Sequence, residues 1–230
     1  MPPLSSAMLA SCWNAIYREG RYETEPPLGF VEIILDTLRA RPAIARGPGL
    51  YVGCGNGRNF RPLAEAGLEL HGLDTSYVAL RHLAGRLGDP AGRLICGDFR
   101  DVPFRSPFAY LIAIQVFQHG DQHDVDAYIR RVAAVLRPGG LLFLRVNSTA
   151  SEIFFRSRLA DTNGHGGFSV QCLEGPKSGQ SIHFFTKAEL LALTADAFHV
   201  VAEPTERREV RPPPRSGRWA QWEMIVERTS

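Results

Sequence analysis

"LYVGCGNGRNF", Leu50 to Phe60, sets three glycines within eleven residues, between an apolar run and the start of a helical pattern. Glycines in such a turn let a backbone approach a ligand closely, and their spacing discriminates between ligands. A dinucleotide-binding turn has the form G-x-G-x-x-G. Here the run is Gly53-Cys54-Gly55-Asn56-Gly57-Arg58, so Arg58 stands where the last glycine would be. A Walker loop is excluded too, because no Gly-Lys-Ser/Thr follows. What remains is G-x-G-x-G after a strand and before a helix.

Outward from this turn, short apolar runs alternate with helical patterns. Leu50–Val52, Leu68–Leu73, "GRLICGD" and "LLFLRVN" read as strands, and "AYLIAIQVF" is apolar on both faces, which suits a central parallel strand. Asn59–Ala66, Tyr77–Leu87 and Asp124–Leu136 read as the intervening helices, the last closed by "RPGG". Strands alternating with helices of this length predict βαβ units and a mostly parallel sheet. Residues 1–45 are expected to form a helical cover of the same domain, with helices over Leu4–Tyr17 and Leu28–Arg41, and residues 46–230 its main body. After the fifth strand the rhythm breaks. Ser151–Leu159 reads as a helix, and residues 150–183 as an inserted hairpin or lid. Thr186–Ala195 opens with a capping box, Thr186 with Glu189 three residues on. "FHVVAE" and "WAQWEMIVER" close the chain as an antiparallel strand pair joined by a basic, proline-rich loop.

The 230 residues suffice for one sizeable core, and 44% hydrophobic content places the chain among globular proteins. A net charge of +2 argues for neither a nucleic-acid partner nor an anionic membrane. The local exception, Arg207, Arg208, Arg211, Arg215 and Arg218, reads as a solvated loop. Cys12, Cys54, Cys96 and Cys172 have no C-x-x-C spacing, which argues against a zinc site and a disulfide framework. The start lacks the marks of a signal peptide, and no apolar run reaches the roughly 20 residues of a membrane span. A cytoplasmic protein is expected.

The "GCGNGRN" turn resembles that of the class I methyltransferases that use S-adenosylmethionine, including small-molecule members such as the tellurite-resistance type. Two acids strengthen the resemblance. "LHGLDTS" ends the second strand with Asp74, seventeen residues after Gly57, and "LICGDFR" ends the third with Asp98. The resemblance implies a Rossmann-like, mostly parallel seven-stranded sheet with helices on both faces and an antiparallel C-terminal pair. It implies S-adenosylmethionine as cofactor and S-adenosylhomocysteine as product. Gly53, Cys54, Gly55, Gly57 and Arg58 would cradle the methionine end; Asp74, with Thr75 beside it, would take the ribose hydroxyls; and Asp98 with Phe99 would hold the adenine. Gln115 and Tyr22 complete the expected cofactor set. As plain sequence, Asp74 could equally cap the next helix and Asp98 a turn.

The acceptor is less legible. "IQVFQHGDQHD" follows the central strand, where the family's acceptor meets the methyl; Phe117 would line the floor and His119 could act as base or orienting group. Arg145 and Asn147 end the fifth strand on the ligand side, where a guanidinium could fix a carboxylate or join a salt bridge. His165 and His183 bracket the insertion, and Tyr17 belongs to the N-terminal cover; all three are candidates for the acceptor. His119 and His123 stand four apart with Asp121 and Asp124 nearby, but the sequence offers no third ligand beside the histidines, so no metal is expected. The reading is a methyltransferase acting on a small molecule through an O, N or S nucleophile. An RNA or protein methyltransferase, and a catalytically silent cofactor-binding protein, are the alternatives.

Overall fold

The computed structural model describes residues 6–87, 93–210 and 217–229. The proline-rich loop, with Arg211 and Arg215, lies outside these residues, as does the expected helix start at Leu4. The chain divides into two compact units. One runs to Ile112 and adds Val135–Leu141; the other comprises Ala113–Ala134 and everything from Leu142 on. The N-terminal helices belong with the glycine turn in the first unit.

In the first unit, helices α1 (Ser6–Arg18), α2 (Phe30–Arg39) and α3 (Pro42–Ala45) precede strand β1 (Gly49–Val52). Then come α4 (Phe60–Glu65), β2 (Leu70–Asp74), α5 (Tyr77–Ala84), β3 (Leu94–Cys96) and the start of β4 (Phe108–Ile114). All seven β4 residues are buried, as its two-faced apolarity predicts. Pro62 lies in the first turn of α4, the place where a helix loses nothing by lacking its N–H. Within the seven-stranded sheet the order is β3-β2-β1-β4-β5-β10-β9, with β1–β2 and β2–β3 parallel. Val52 pairs with Leu73, and that register brings Asp74 level with the first glycine of the turn.

α6 (Gln122–Val135) leads to β5 (Leu136–Asn147), of which the part from Leu142 on belongs to the second unit, and the residues read as a helix stop already lie in the strand. α7 (Lys187–Thr194) precedes the long antiparallel pair β9 (Phe198–Val210) and β10 (Arg218–Arg228). The insertion is a separate three-stranded antiparallel sheet of β6 (Ser157–Thr162), β7 (Phe168–Cys172) and β8 (Ser181–Phe184). The helix expected over Ser151–Leu159 does not form. Ser151 Oγ and the Glu152 N–H bond the backbone of Ala220 and Arg218 instead, and Ser157 onward pairs with β7. Tertiary hydrogen bonds there replace the i to i+4 bonds of a helix.

Candidate active site

The first unit assembles the glycine turn, β2 and α1. Gly53, Gly55 and Gly57 all have positive φ, at 67°, 56° and 92°, the region only glycine adopts without strain. A side chain at Gly55 would collide with the Tyr17 hydroxyl, and one at Gly57 with Leu83. The N–H groups of Gly53 and Cys54 both bond the Leu73 carbonyl, at 2.7 and 3.1 Å, which fixes the turn to β2.

Asp74 is buried at the end of β2. Its Oδ2 accepts from the Gly55 N–H and its Oδ1 from the Ser76 N–H, each at 2.8 Å. Burial raises its pKa from 3.8 to about 6, against the opposing pull of the Ser76, Gly55 and Thr75 N–H groups. The helix-cap reading of this position falls to Ser76, whose Oγ accepts from the Ala79 N–H. Asn14 of α1 accepts from Ser76 Oγ and the Val78 N–H, and so clamps α1 to the start of α5. That clamp brings Tyr17 over the turn, with Trp13 and Tyr22 rings 6.3 and 6.1 Å from its own. Burial and the nearby Asp74 carboxylate push the Tyr17 pKa well up. Tyr22 has φ 64°, a strained conformation for a ring-bearing residue.

Arg58 faces the N-terminal segment. Its Nε donates to the Pro26 carbonyl at 2.6 Å and its head pairs with Glu25 at 2.6 Å, while Glu23 pairs with Arg86. Asp98, buried at 8% exposure, is gripped by a two-pronged contact from Arg100, at 3.0 and 2.6 Å. Phe99 is buried, 6.2 Å from the Phe104 ring. Sequence spacing located both aspartates; it gave no sign of the Arg100 partner, two residues from Asp98, because charge pairs across a turn have no periodic signature.

The second unit carries the acceptor candidates other than Tyr17, and most are already engaged. Gln115 leaves β4 with φ 58°; its N–H bonds the Arg145 carbonyl at 2.7 Å, and its side chain reaches Gln221 Oε1 at 3.4 Å. Gln221 donates to Asn147 Oδ1 at 2.6 Å, and the Trp219 indole reaches the same oxygen at 3.4 Å. This amide row has no mark in the sequence, because Gln221 is 74 residues from Asn147. Phe117 is buried and stacks on Tyr128 at 4.8 Å. Arg145, 2% exposed, pairs with Glu223 at 3.1 Å and Glu209 at 3.5 Å beside the Trp219 ring, which is the salt-bridge outcome for that guanidinium.

His183 is fully buried with both ring nitrogens taken, Nδ1 by Ser169 Oγ and Nε2 by Glu189 Oε1, each at 2.8 Å. In place of the acceptor contact expected of it, the ring ties β7 and β8 to α7. The same bond halves the expected capping box: Thr186 caps the Glu189 N–H, but the Glu189 carboxylate turns to His183 and Asn163. His165 sits exposed on the β6–β7 turn. His119 is half-buried. Desolvation, aided by the Lys177 charge, holds its pKa well below the ordinary value, and a hydrogen bond to the Gln115 backbone opposes the shift. Asp121, His123 and Asp124 bring potential ligand atoms within 4.8 Å of one another, although the two aspartates also cap each other's backbone N–H groups at the start of α6.

Residues 50–140 match the family described as "Methyltransferase domain". The whole chain superposes on the 1,6-didemethyltoxoflavin-N1-methyltransferase of Burkholderia thailandensis, crystallised with 1,6-didemethyltoxoflavin and S-adenosylhomocysteine. The TM-score is 0.68 at 21% identity, over 100% of this chain and 93% of that one. This chain has the class I methyltransferase fold. In sequence, this chain is 35% identical over 97 residues to a cypemycin N-terminal methyltransferase from Streptomyces sp, covering 41% of this chain and 40% of that protein. It is 33% identical over 95 residues to a ubiquinone biosynthesis O-methyltransferase from Bradyrhizobium sp. (strain ORS 278), covering 40% and 37%. The chain thus spans about two fifths of the length of these curated relatives. No helix among the described residues is long and apolar enough to cross a membrane.

Proposed function

We propose that this protein is an S-adenosylmethionine-dependent methyltransferase acting on a small molecule. The observation that carries the reading is Asp74: a buried carboxylate at the end of β2, held by the N–H groups of a three-glycine turn. Its Oδ2 accepts the Gly55 N–H and its Oδ1 the Ser76 N–H, with the Thr75 N–H also acting on the carboxylate, and the roughly four acceptor sites of a carboxylate leave room for a ribose hydroxyl. The positive φ of Gly53, Gly55 and Gly57 bends the turn tightly beside the acid, and Tyr17 and Tyr22 supply aromatic rings next to it. Phe99 and the Asp98 loop are the assigned adenine contacts. The cofactor, when bound, supplies a methyl group activated on a sulfonium.

For the protein, such a displacement is mainly a problem of alignment and water exclusion. A hydroxyl or N–H acceptor must also lose a proton, and we assign its uptake to His119, which the low pKa keeps neutral and able to accept. A small-molecule acceptor is favoured over a polyanion by the C-terminal arginines. Arg207, Arg208 and Arg218 pair with Glu223, Glu206 and Glu152, so their charge is largely compensated within the protein.

Calorimetric titration with S-adenosylhomocysteine tests the cofactor, and a methyl-transfer screen over phenols, thiols, amines and lactams tests the acceptor. Binding that survives Asp74→Ala unchanged would overturn the site; turnover on RNA with none on small molecules would overturn the acceptor class.

A further inference from the structure

Asn14 lies half-buried on α1, and its side-chain oxygen is taken twice. Oδ1 accepts from Ser76 Oγ at 2.8 Å and from the Val78 N–H at 3.0 Å. A backbone N–H can only donate, so the end of the amide that faces Val78 has to be the oxygen. The whole group is thereby oriented. Its Nδ2 amine is turned away from Ser76 and Val78, and it donates to no group among the described residues.

The buried acid lies beside this amide. Ser76, which Asn14 holds by the hydroxyl, donates its own N–H to Asp74 Oδ1 at 2.8 Å, so a single serine links the amide to the carboxylate. Tyr17 comes three residues later and therefore on the same side of α1. Its hydroxyl occupies the place a Gly55 side chain would take, and the Gly55 N–H holds the other oxygen of Asp74. One face of α1 thus borders the acid at both ends, through Asn14 by way of Ser76 and through Tyr17 by way of Gly55.

A carboxylate and an amide donor side by side have a specific complement. An ionised carboxylate only accepts, so it takes the proton of a hydroxyl and leaves that hydroxyl's own oxygen without a donor. An amide N–H supplies it. A hydroxyl that gives one hydrogen bond while receiving another holds both more firmly, because each polarises the other. A deoxy sugar has no group that can do both.

We propose that Asn14 is a cofactor-binding and specificity residue: its Nδ2 donates to the ribose hydroxyl whose proton goes to Asp74, so that the pair selects a ribonucleoside over its deoxy counterpart. The proposal rests on the reading of Asp74 as the ribose acid.

The test titrates the full chain with S-adenosylhomocysteine and with its 2′-deoxy and 3′-deoxy analogues at pH 8, above the pKa of about 6 that burial gives Asp74. Wild type, Asn14→Asp and Asn14→Ala are compared, with the thermal midpoint recorded. Asn14→Asp keeps an oxygen for Ser76 and Val78 and loses only the donor; Asn14→Ala loses the clamp as well and should melt below Asn14→Asp. Both variants should bind S-adenosylhomocysteine about five- to tenfold more weakly than wild type. That loss should vanish with one of the two deoxy analogues, the one that lacks the paired hydroxyl. A loosened clamp alone would weaken binding only in the alanine variant. A loss confined to Asn14→Ala, equal for all three ligands, or absent from both variants would overturn the assignment and leave the cofactor reading standing. Wild type that binds none of the three ligands would overturn both.

Discussion

Replacing Asp74 by asparagine should make the stability of this protein respond to pH in a way that reports what the acid does. Burial lifts the folded-state pKa from 3.8 to about 6, so between those values the folded protein binds more protons than the unfolded chain. By linkage, the stability contributed by the protonated acid is fully present below pH 3.8 and is lost as pH rises through 6. A displacement of about two pKa units amounts to about 3 kcal/mol once both states are ionised, and about 2 kcal/mol of it falls between pH 4 and pH 7. Asparagine does not titrate, but it can accept from only one of the Gly55 and Ser76 N–H groups, at a pH-independent cost of about 1–3 kcal/mol. Urea denaturation at pH 4 and pH 7 should therefore show the stability difference between variant and wild type moving by about 2 kcal/mol in the variant's favour. Ligand binding reads the same proton. Hydroxyl donors require the carboxylate, so at pH 6 S-adenosylhomocysteine should release about half a proton from wild type, seen as a buffer-dependent calorimetric enthalpy. Equal pH dependence in both proteins, or no proton release by wild type, would refute the reasoning.

Gly55→Ala combines positive φ with a collision at the Tyr17 hydroxyl and should cost about 2 kcal/mol in chemical denaturation, together with much of the cofactor affinity. Glu189→Ala removes the partner of His183 and Asn163 and should destabilise by about 3 kcal/mol while S-adenosylhomocysteine binding is unchanged; loss of binding in a protein that remains folded would show that the network serves the site directly. If His119 takes the acceptor proton, the acid limb of the pH–rate profile lies below pH 6.5, because His119 must be neutral to act and its pKa is lowered. Lys177→Ala should move that limb upward, and a limb unmoved by it would remove Lys177 from the account.

The alternation of strands and helices, the three-glycine turn and the positions of Asp74 and Asp98 were all legible in the sequence. Each depends on backbone rules that act within a few residues: periodicity, positive φ, and the placing of an acid where a strand ends. Gly57 needs φ 92° whatever surrounds it, and β4 needs apolar residues on both faces wherever its neighbours come from. What only the tertiary structure decided is how side chains are spent. Arg58 turns to Glu25 and Pro26, Arg145 to Glu223, and His183 to Ser169 and Glu189. Ser151–Leu159 has a helical composition but gives its hydrogen bonds to β10 and β7. The physical reason is one of range: conformation is set by neighbours in the chain, but the cost of burying a polar group is settled by partners tens of residues away.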